Sequence, residues 1–177
     1  MSNLWQRCSE GRGQIAFVLH AHLPYVPPGS TLEGRWLLEA MLESYLPILG
    51  VFDRLAAEGV AFAVTVGLTP TLLEQLKDAG LPTRFESFLA HHVALVAAEG
   101  RRSGPSGPLE FLAGRAREVR GIVERHGDLL SGFVAHARAG RLDLIASAAT
   151  HAFLPALPHR DVTAQVRIGK EVFRHRR

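Results

Sequence analysis

Three short apolar runs, set between long stretches of helical period, constrain this chain more than any other feature. Residues 15–19, 60–66 and 142–147 are rich in aliphatic and β-branched side chains. Between the first two, Leu37, Leu38, Met41, Tyr45, Leu46, Leu49, Phe52 and Leu55 recur three and four positions apart, the period of an amphipathic helix. Strand, helix, strand, several helices, strand and a last helix follow in that order. Such alternation calls for parallel strands joined by helical crossovers. The expected fold class is therefore α/β, with about three parallel strands. Continuous apolar runs of this kind suit strands buried on both faces.

Punctuation residues set the expected boundaries. Residues 1–13 are mostly polar and read as an irregular extension, with the folded region over 14–177. The loop 24–34 carries Pro24, Pro27, Pro28, Gly29 and Gly34, all turn formers. Pro47 falls inside the first helical pattern and predicts a kink or break there. Thr69 followed by Pro70 predicts an N-cap with proline in the first turn, opening a helix that runs to about Ala79. Thr83 and Glu86 have the spacing of a capping box for a helix ending near Gly100. Residues 101–108 read as a loop, 109–125 and 128–139 as helices parted at Gly127, and the last helix starts at about Asp161.

Composition narrows the class. Of 177 residues, 47% are hydrophobic and 21% charged, which describes a globular chain with enough length for a sizeable core. A single cysteine, Cys8, excludes an internal disulfide. No apolar run approaches the roughly 20 residues needed to cross a bilayer, and the polar N-terminus lacks a signal-peptide core. These features predict a cytoplasmic protein with no membrane partner. The formal charge of +3 raises the question of nucleic acid. The basic residues Arg115, Arg117 and Arg120 alternate with Glu110, Glu118 and Glu124, however, which is the pattern of a mixed solvated face. No nucleic-acid partner is expected.

Chemistry concentrates at strand ends. His20 and His22 stand at the carboxyl end of the first strand, before Pro24 and Tyr25, and His151 lies just beyond the third. Carboxyl ends of parallel strands are where α/β active sites collect. If strands one and three are neighbours, the three imidazoles meet at one rim. They have the chemistry to bind a metal, to move protons or to hydrogen-bond a polar substrate; partly buried histidines satisfied by backbone are the plainer alternative. Trp36 and Tyr25 can stack on a ligand ring or belong to the core. Glu39 and Glu43, four apart, share a helix face, as paired acids or as a solvated surface. His91 and His92 read as structural, and Asp143 as a strand-end ion-pair partner. The sequence has no phosphate-cradling glycine loop and no Gly-x-Ser-x-Gly nucleophile elbow.

Four ordered segments carry a family resemblance. Phe17-Val-Leu-His-Ala-His-Leu-Pro-Tyr-Val26 resembles the opening motif of glycoside hydrolase family 57, in its α-1,4-glucan branching enzyme group. Arg35-Trp-Leu-Leu-Glu-Ala-Met-Leu-Glu-Ser-Tyr-Leu-Pro-Ile-Leu49 is similar to that group's next segment, including the proline within the helix. The stretches 64–76 and 140–155 continue the likeness in the same order. It begins at about Gln14 and runs to the end of the chain.

The resemblance implies the N-terminal part of a distorted (β/α)7 barrel acting on α-glucans, with no cofactor. Family members work by a retaining mechanism with a glutamate nucleophile and an aspartate acid/base. By the resemblance, His20, His22 and His151 line the subsite of the cleaved sugar, with Trp36 and Glu39 nearby. Neither catalytic carboxylate can be matched to a residue of this chain, so no catalytic residue is assigned. The expectation is an N-terminal fragment of a 1,4-α-glucan branching enzyme, inactive alone, whose partners are α-glucan and a C-terminal fragment of the same enzyme. Two alternatives stand beside it. One is a non-catalytic α-glucan-binding remnant. The other is a metal-dependent, polysaccharide deacetylase-like protein, which calls for an acidic ligand and a His-x-x-x-His pair; the sequence has no such pair, and no metal ligand is assigned.

Overall fold

The computed structural model describes residues 15–27 and 32–174. The irregular extension expected over residues 1–13 lies outside them, as do residues 28–31 of the first loop. Strand β1 (Val18–Ala21) leads through a 3-10 turn (Glu33–Arg35) into α1 (Trp36–Ala40), a π-helical segment (Met41–Tyr45) and α2 (Leu46–Ala57). Then come β2 (Val64–Leu68), α3 (Pro70–Leu76), α4 (Leu81–Ser103), α5 (Gly107–His126), α6 (Leu129–Arg138), β3 (Leu142–Ile145), a 3-10 turn (Leu154–Ala156) and α7 (His159–Arg174).

The three strands form one parallel sheet in the order β1-β2-β3, so the expected class holds. Strands one and three are not neighbours, because β2 lies between them. Register places Leu19, Val66 and Leu144 side by side, and next to them His20, Gly67 and Ile145. Alternation then separates two faces. Leu19, Ala21, Val64, Val66, Leu68, Leu142 and Leu144 face the helices and are buried or half-buried. Val18, His20, Thr65, Asp143 and Ile145 share the other face, which is largely open: Val18 is 64% and Ile145 40% exposed. The expectation of strands buried on both faces is met on one face only. The described helices cover that face alone, and both outer edges of the sheet are unpaired among the described residues.

Strand limits also shift along the chain. The run 15–19 yields a strand only from Val18, and the run 60–66 only from Val64. Residues 60–63 carry the chain from α2 to the sheet, starting with a bond from Val60 N–H to Leu55 O. Apolar content marks what will be buried, but hydrogen-bond partners decide where pairing begins.

The core lies between the covered sheet face and the helices. Leu42, Leu46, Leu49 and Phe52 from the first helical arm meet Leu72, Leu73, Leu89, Val119, Ile122, Leu129 and Phe133. Each such side chain contributes about 1.5–3 kcal/mol on burial. Pro47 neither breaks nor sharply ends its helix. The turn ahead of it widens, and Leu46 N–H bonds Met41 O, five residues back, which accommodates a ring that cannot sit in a regular α-turn.

Caps decide the remaining boundaries. Thr69 accepts from Leu72 N–H at 3.4 Å, and Asp128 from Ser131 N–H at 2.8 Å, as side-chain N-caps do. Thr83, in contrast, sits inside α4 and is no cap. Asp78 closes the preceding turn by accepting from Gly80 N–H, and Pro82 in the first turn lets the helix begin at Leu81. The loop expected over 101–108 shrinks to residues 104–106, because α4 runs through Ser103 and α5 starts at Gly107. Gly104, at φ 77°, makes that reversal at little steric cost.

Candidate functional site

The histidines from the two edge strands of the sheet do converge. Ring centroids lie 6.2 Å apart for His20 and His22, 4.7 Å for His20 and His151, and 4.4 Å for His22 and His151. They meet across the intervening strand because the residue between them is Gly67. A β-carbon there would stand 3.3 Å from His20 Nδ1 and 3.6 Å from Ile145 Cγ1. Gly67 therefore leaves the space that the His20 ring occupies. His20 and His22, two positions apart, share the open face.

The segments that carry His22 and His151 are each anchored by a helix. Helix α3 pins the chain that leaves β1: the Gln75 amide donates to the carbonyls of Leu23 and Pro24 and accepts from Val26 N–H. Thr71 donates to Leu23 O at 3.1 Å. His22 Nδ1 is 3.1 Å from Thr69 Oγ1, a fully buried hydroxyl. Tyr45, the last residue of the π segment, reaches His22 O at 3.5 Å, and burial pushes its phenol pKa up.

His151 sits on a turn after β3 with φ 58°, a left-handed conformation uncommon for a side-chain-bearing residue. Helix α7 clamps that turn. Gln165 O accepts from Ala149 N–H, and its side-chain oxygen accepts from Thr150 N–H. Gly169 packs directly against Ser147, where a β-carbon would lie 2.3 Å from the carbonyl oxygen.

Burial lowers the pKa of His22, and the neighbouring His151 and His20 lower it further. No carboxylate is hydrogen-bonded or ion-paired to any of the three among the described residues. The cluster is thus a polar surface suited to exchanging hydrogen bonds with hydroxyl groups.

Trp36 and Glu39 are not joined to it. Trp36 opens α1 and is 41% exposed; no hydrogen bond or ring contact links it to the histidines. Glu39 pairs with Arg35 at 3.5 Å along the same helix face. Among the described residues no group of three or more His, Cys, Asp or Glu side chains is arranged to hold a metal ion.

A second cluster, absent from the sequence reading, lies at the opposite end of the sheet. Asp53 on α2 accepts from His126 Nε2 at 3.0 Å and His136 Nε2 at 2.9 Å, and Arg125 Nε lies 3.2 Å away. Arg141 Nε donates to His136 Nδ1 at 3.0 Å, so Nδ1 is the acceptor and Nε2 the donor of that buried ring. Burial pushes the Asp53 carboxyl up, but bonds from His126 and His136, with the charges of His126 and Arg125, outweigh it and hold the pKa below its usual value. No sequence signal links residues this far apart in the chain. Thr71 and Gln75 were also missed, although their place just after a strand's carboxyl end marks them by the rule that found the histidines.

Fold and rim together define an α/β enzyme-type scaffold with its polar cluster at the carboxyl ends of the strands. Residues 16–176 match glycosyl hydrolase family 57, and the chain belongs to that family. It is 32% identical over 164 residues to a 1,4-alpha-glucan branching enzyme of Thermococcus kodakarensis, covering 89% of this chain and 24% of that one. The GH57-type branching enzyme structure from Pyrococcus horikoshii superposes with a TM-score of 0.82 at 31% identity, over 90% of this chain and 32% of that one. The α-amylase AmyC from Thermotoga maritima superposes with a TM-score of 0.83 at 32% identity, over 93% and 33%. The chain thus spans about a quarter to a third of the length of these relatives, their N-terminal portion. Its three strands and crossovers are the corresponding part of a (β/α)7 barrel.

Proposed function

We propose that residues 14–177 are the N-terminal part of the catalytic barrel of a 1,4-α-glucan branching enzyme, and that His20, His22 and His151, with Trp36 and Glu39 at the edge, hold a glucosyl unit of the donor chain. The observation that carries this reading is the convergence of three imidazoles, with no counter-charge among them, at the rim of a family 57 scaffold. A sugar presents a ring of hydroxyls, each both donor and acceptor, and neutral imidazoles match both roles. Trp36 offers an exposed indole on which a sugar face can rest.

The transfer itself needs two carboxylates. One attacks the anomeric carbon while the other gives a proton to the departing 4-oxygen. The second then takes the proton of an incoming glucan 6-hydroxyl as that oxygen displaces the enzyme carboxylate. Among the described residues no carboxylate contacts the histidine rim, so on this reading residues 1–177 alone bind but do not transfer. The remaining barrel strands are the proposed partner, supplied by a C-terminal portion that pairs with a free edge of the sheet and covers its open face. The setting we assign is glycogen-type polymer synthesis in the cytoplasm; no helix among the described residues is long and apolar enough to cross a membrane.

The test is direct. Residues 1–177 incubated with amylose leave iodine staining unchanged and form no α-1,6 linkage, while maltotriose perturbs the NMR signals of His20, His22 and His151. Co-expression with the C-terminal portion restores branching. New α-1,6 linkages from residues 1–177 alone would refute the inactivity. New reducing ends without branches, from the completed enzyme, would assign it to hydrolysis, the activity named for the Thermotoga maritima relative.

A further inference from the structure

Four contacts around Thr69 share too few protons for more than one arrangement. Leu72 N–H donates to Thr69 Oγ1 at 3.4 Å. Thr71 Oγ1 lies 3.1 Å from Leu23 O, and a carbonyl only accepts, so the single Thr71 hydroxyl proton goes there. Thr69 and Thr71 hydroxyls are 3.3 Å apart. With Thr71 already donating elsewhere, Thr69 must be the donor in that contact. The Thr69 proton is then committed, and the 3.1 Å contact between Thr69 Oγ1 and His22 Nδ1 is a hydrogen bond only if His22 Nδ1 carries the proton. Any other assignment gives up at least one of the four bonds, at a buried hydroxyl that water does not reach.

We propose that Thr69 and Thr71 are positioning residues that fix His22 as the Nδ1–H tautomer, so that its Nε2 faces the histidine rim as a hydrogen-bond acceptor. The relay runs from His22 Nδ1–H to Thr69, from Thr69 to Thr71, and from Thr71 to the carbonyl of Leu23. It closes on itself locally, because Leu23 follows His22 in the chain. Backbone and ring are therefore oriented by the same two hydroxyls. Nε2 makes no hydrogen bond within the described protein, and an acceptor there selects ligands that present a hydroxyl. An analogue lacking that hydroxyl leaves the nitrogen unpaired.

The sharpest consequence concerns Thr71, which does not touch the ring. In Thr71→Val the Thr69 proton loses its acceptor, and His22 Nδ1 becomes the only one left. The ring then switches to the Nε2–H tautomer and presents a donor in place of an acceptor. Thr69→Val removes the whole relay, and Thr69→Ser restores it.

The tautomer is read without any ligand, from the ring nitrogen shifts of His22 in uniformly 15N-labelled residues 1–177 at neutral pH. We expect Nδ1–H in the wild type and in Thr69→Ser, Nε2–H as the major form in Thr71→Val, and a mixture in Thr69→Val. An Nε2–H wild type overturns the proposal, and that measurement needs no variant to fold. An unchanged tautomer in a folded Thr71→Val also overturns it, since a merely structural threonine would leave the ring nitrogens as they were. Maltotriose titration of the same wild-type sample tests the glucan reading separately: absent binding sinks that reading and leaves the tautomer result standing.

Discussion

Two groups of histidines sit at opposite ends of the same three-stranded sheet, and they solve different problems. At the carboxyl end, the rings of His20, His22 and His151 lie 4.4–6.2 Å apart with no negative charge in contact among the described residues. At the other end, His126 and His136 close on the carboxylate of Asp53, with Arg125 and Arg141 completing the set. His136 is 3% exposed, and both its ring nitrogens are engaged. The lower group spends its hydrogen bonds on the protein, whereas the upper group keeps part of its capacity unused. His151 even holds a left-handed backbone conformation, which costs about 1–2 kcal/mol. Barrel-type proteins show this division of labour: the N-terminal end of the sheet serves stability and the C-terminal end serves function.

The largest effect that would break this comparison comes from the lower group. His136→Ala removes a donor to Asp53, leaves Arg141 without its acceptor and opens a gap beside Phe52 and Phe62, whose rings lie 5.9 and 6.4 Å from the imidazole. We expect a loss of about 3–5 kcal/mol, a fall of roughly 10 °C in Tm for a domain of this size, by calorimetry. His151→Gly behaves oppositely. Relief of the left-handed strain offsets the extra freedom of glycine in the unfolded chain, so stability is unchanged or rises by up to about 1 kcal/mol, while maltotriose binding is lost. If the two variants destabilise equally, the division between the ends is wrong.

A second contrast lies in pH. His22 has its pKa held below the ordinary 6.5 by burial and by its two histidine neighbours. The unfolded chain therefore binds a proton that the folded site resists, and stability rises with pH between the folded pKa and about 6.5. Below the folded pKa His22 is charged and loses its Nε2 acceptor, so maltotriose affinity falls as pH drops through the folded pKa, at the acid edge of this window. Asp53 has its carboxyl pKa lowered overall. Its contribution to stability is fully present above the unfolded value of about 3.9 and disappears only as pH falls through the folded value. Two separate acid transitions are expected, with binding lost before most of the stability. His22→Asn removes the first and leaves the second; persistence of the first, higher-pH transition in His22→Asn would contradict the assignment.

The sequence made the upper group legible and hid the lower one, for a physical reason. His20, His22 and His151 each follow an apolar run, so their place at a rim depends on chain order alone. Asp53, His126 and His136 meet only because α2, α5 and α6 pack together, and nothing local in their segments records that packing. The element order and the cap at Thr69 were readable because capping chemistry is local. The opening of α4 was not: Thr83 and Glu86 have the right spacing, but Pro82 and the Asp78 turn start the helix earlier. Strand limits failed similarly, since pairing with β2, not the apolar run, decides where β1 begins. The convergence of the histidines was anticipated from a supposed adjacency of strands one and three. It arises instead from Gly67, a position with no side chain.

That glycine offers the smallest and most discriminating test. Gly67→Ala keeps the backbone, since Gly67 is not among the positive-φ positions, and adds one methyl group to the open face of β2. The new carbon would lie 3.3 Å from His20 Nδ1, 3.6 Å from Ile145 Cγ1 and 3.7 Å from Leu19 O. Only the first is tighter than ordinary van der Waals contact, and the open face gives the ring room to yield. We therefore expect a stability change below about 1 kcal/mol in denaturant unfolding, at the mild end of overpacking. The ring must still move by a few tenths of an ångström, which disturbs its 4.7 Å approach to His151. Maltotriose affinity should fall by about threefold, equivalent to roughly 0.6 kcal/mol, with NMR shifts at His20 and His151 and none at His126 or His136. Shifts at the lower histidines would show that the two ends of the sheet are coupled. An unmoved His20 signal with unchanged affinity would remove Gly67 from the account of why the three rings meet.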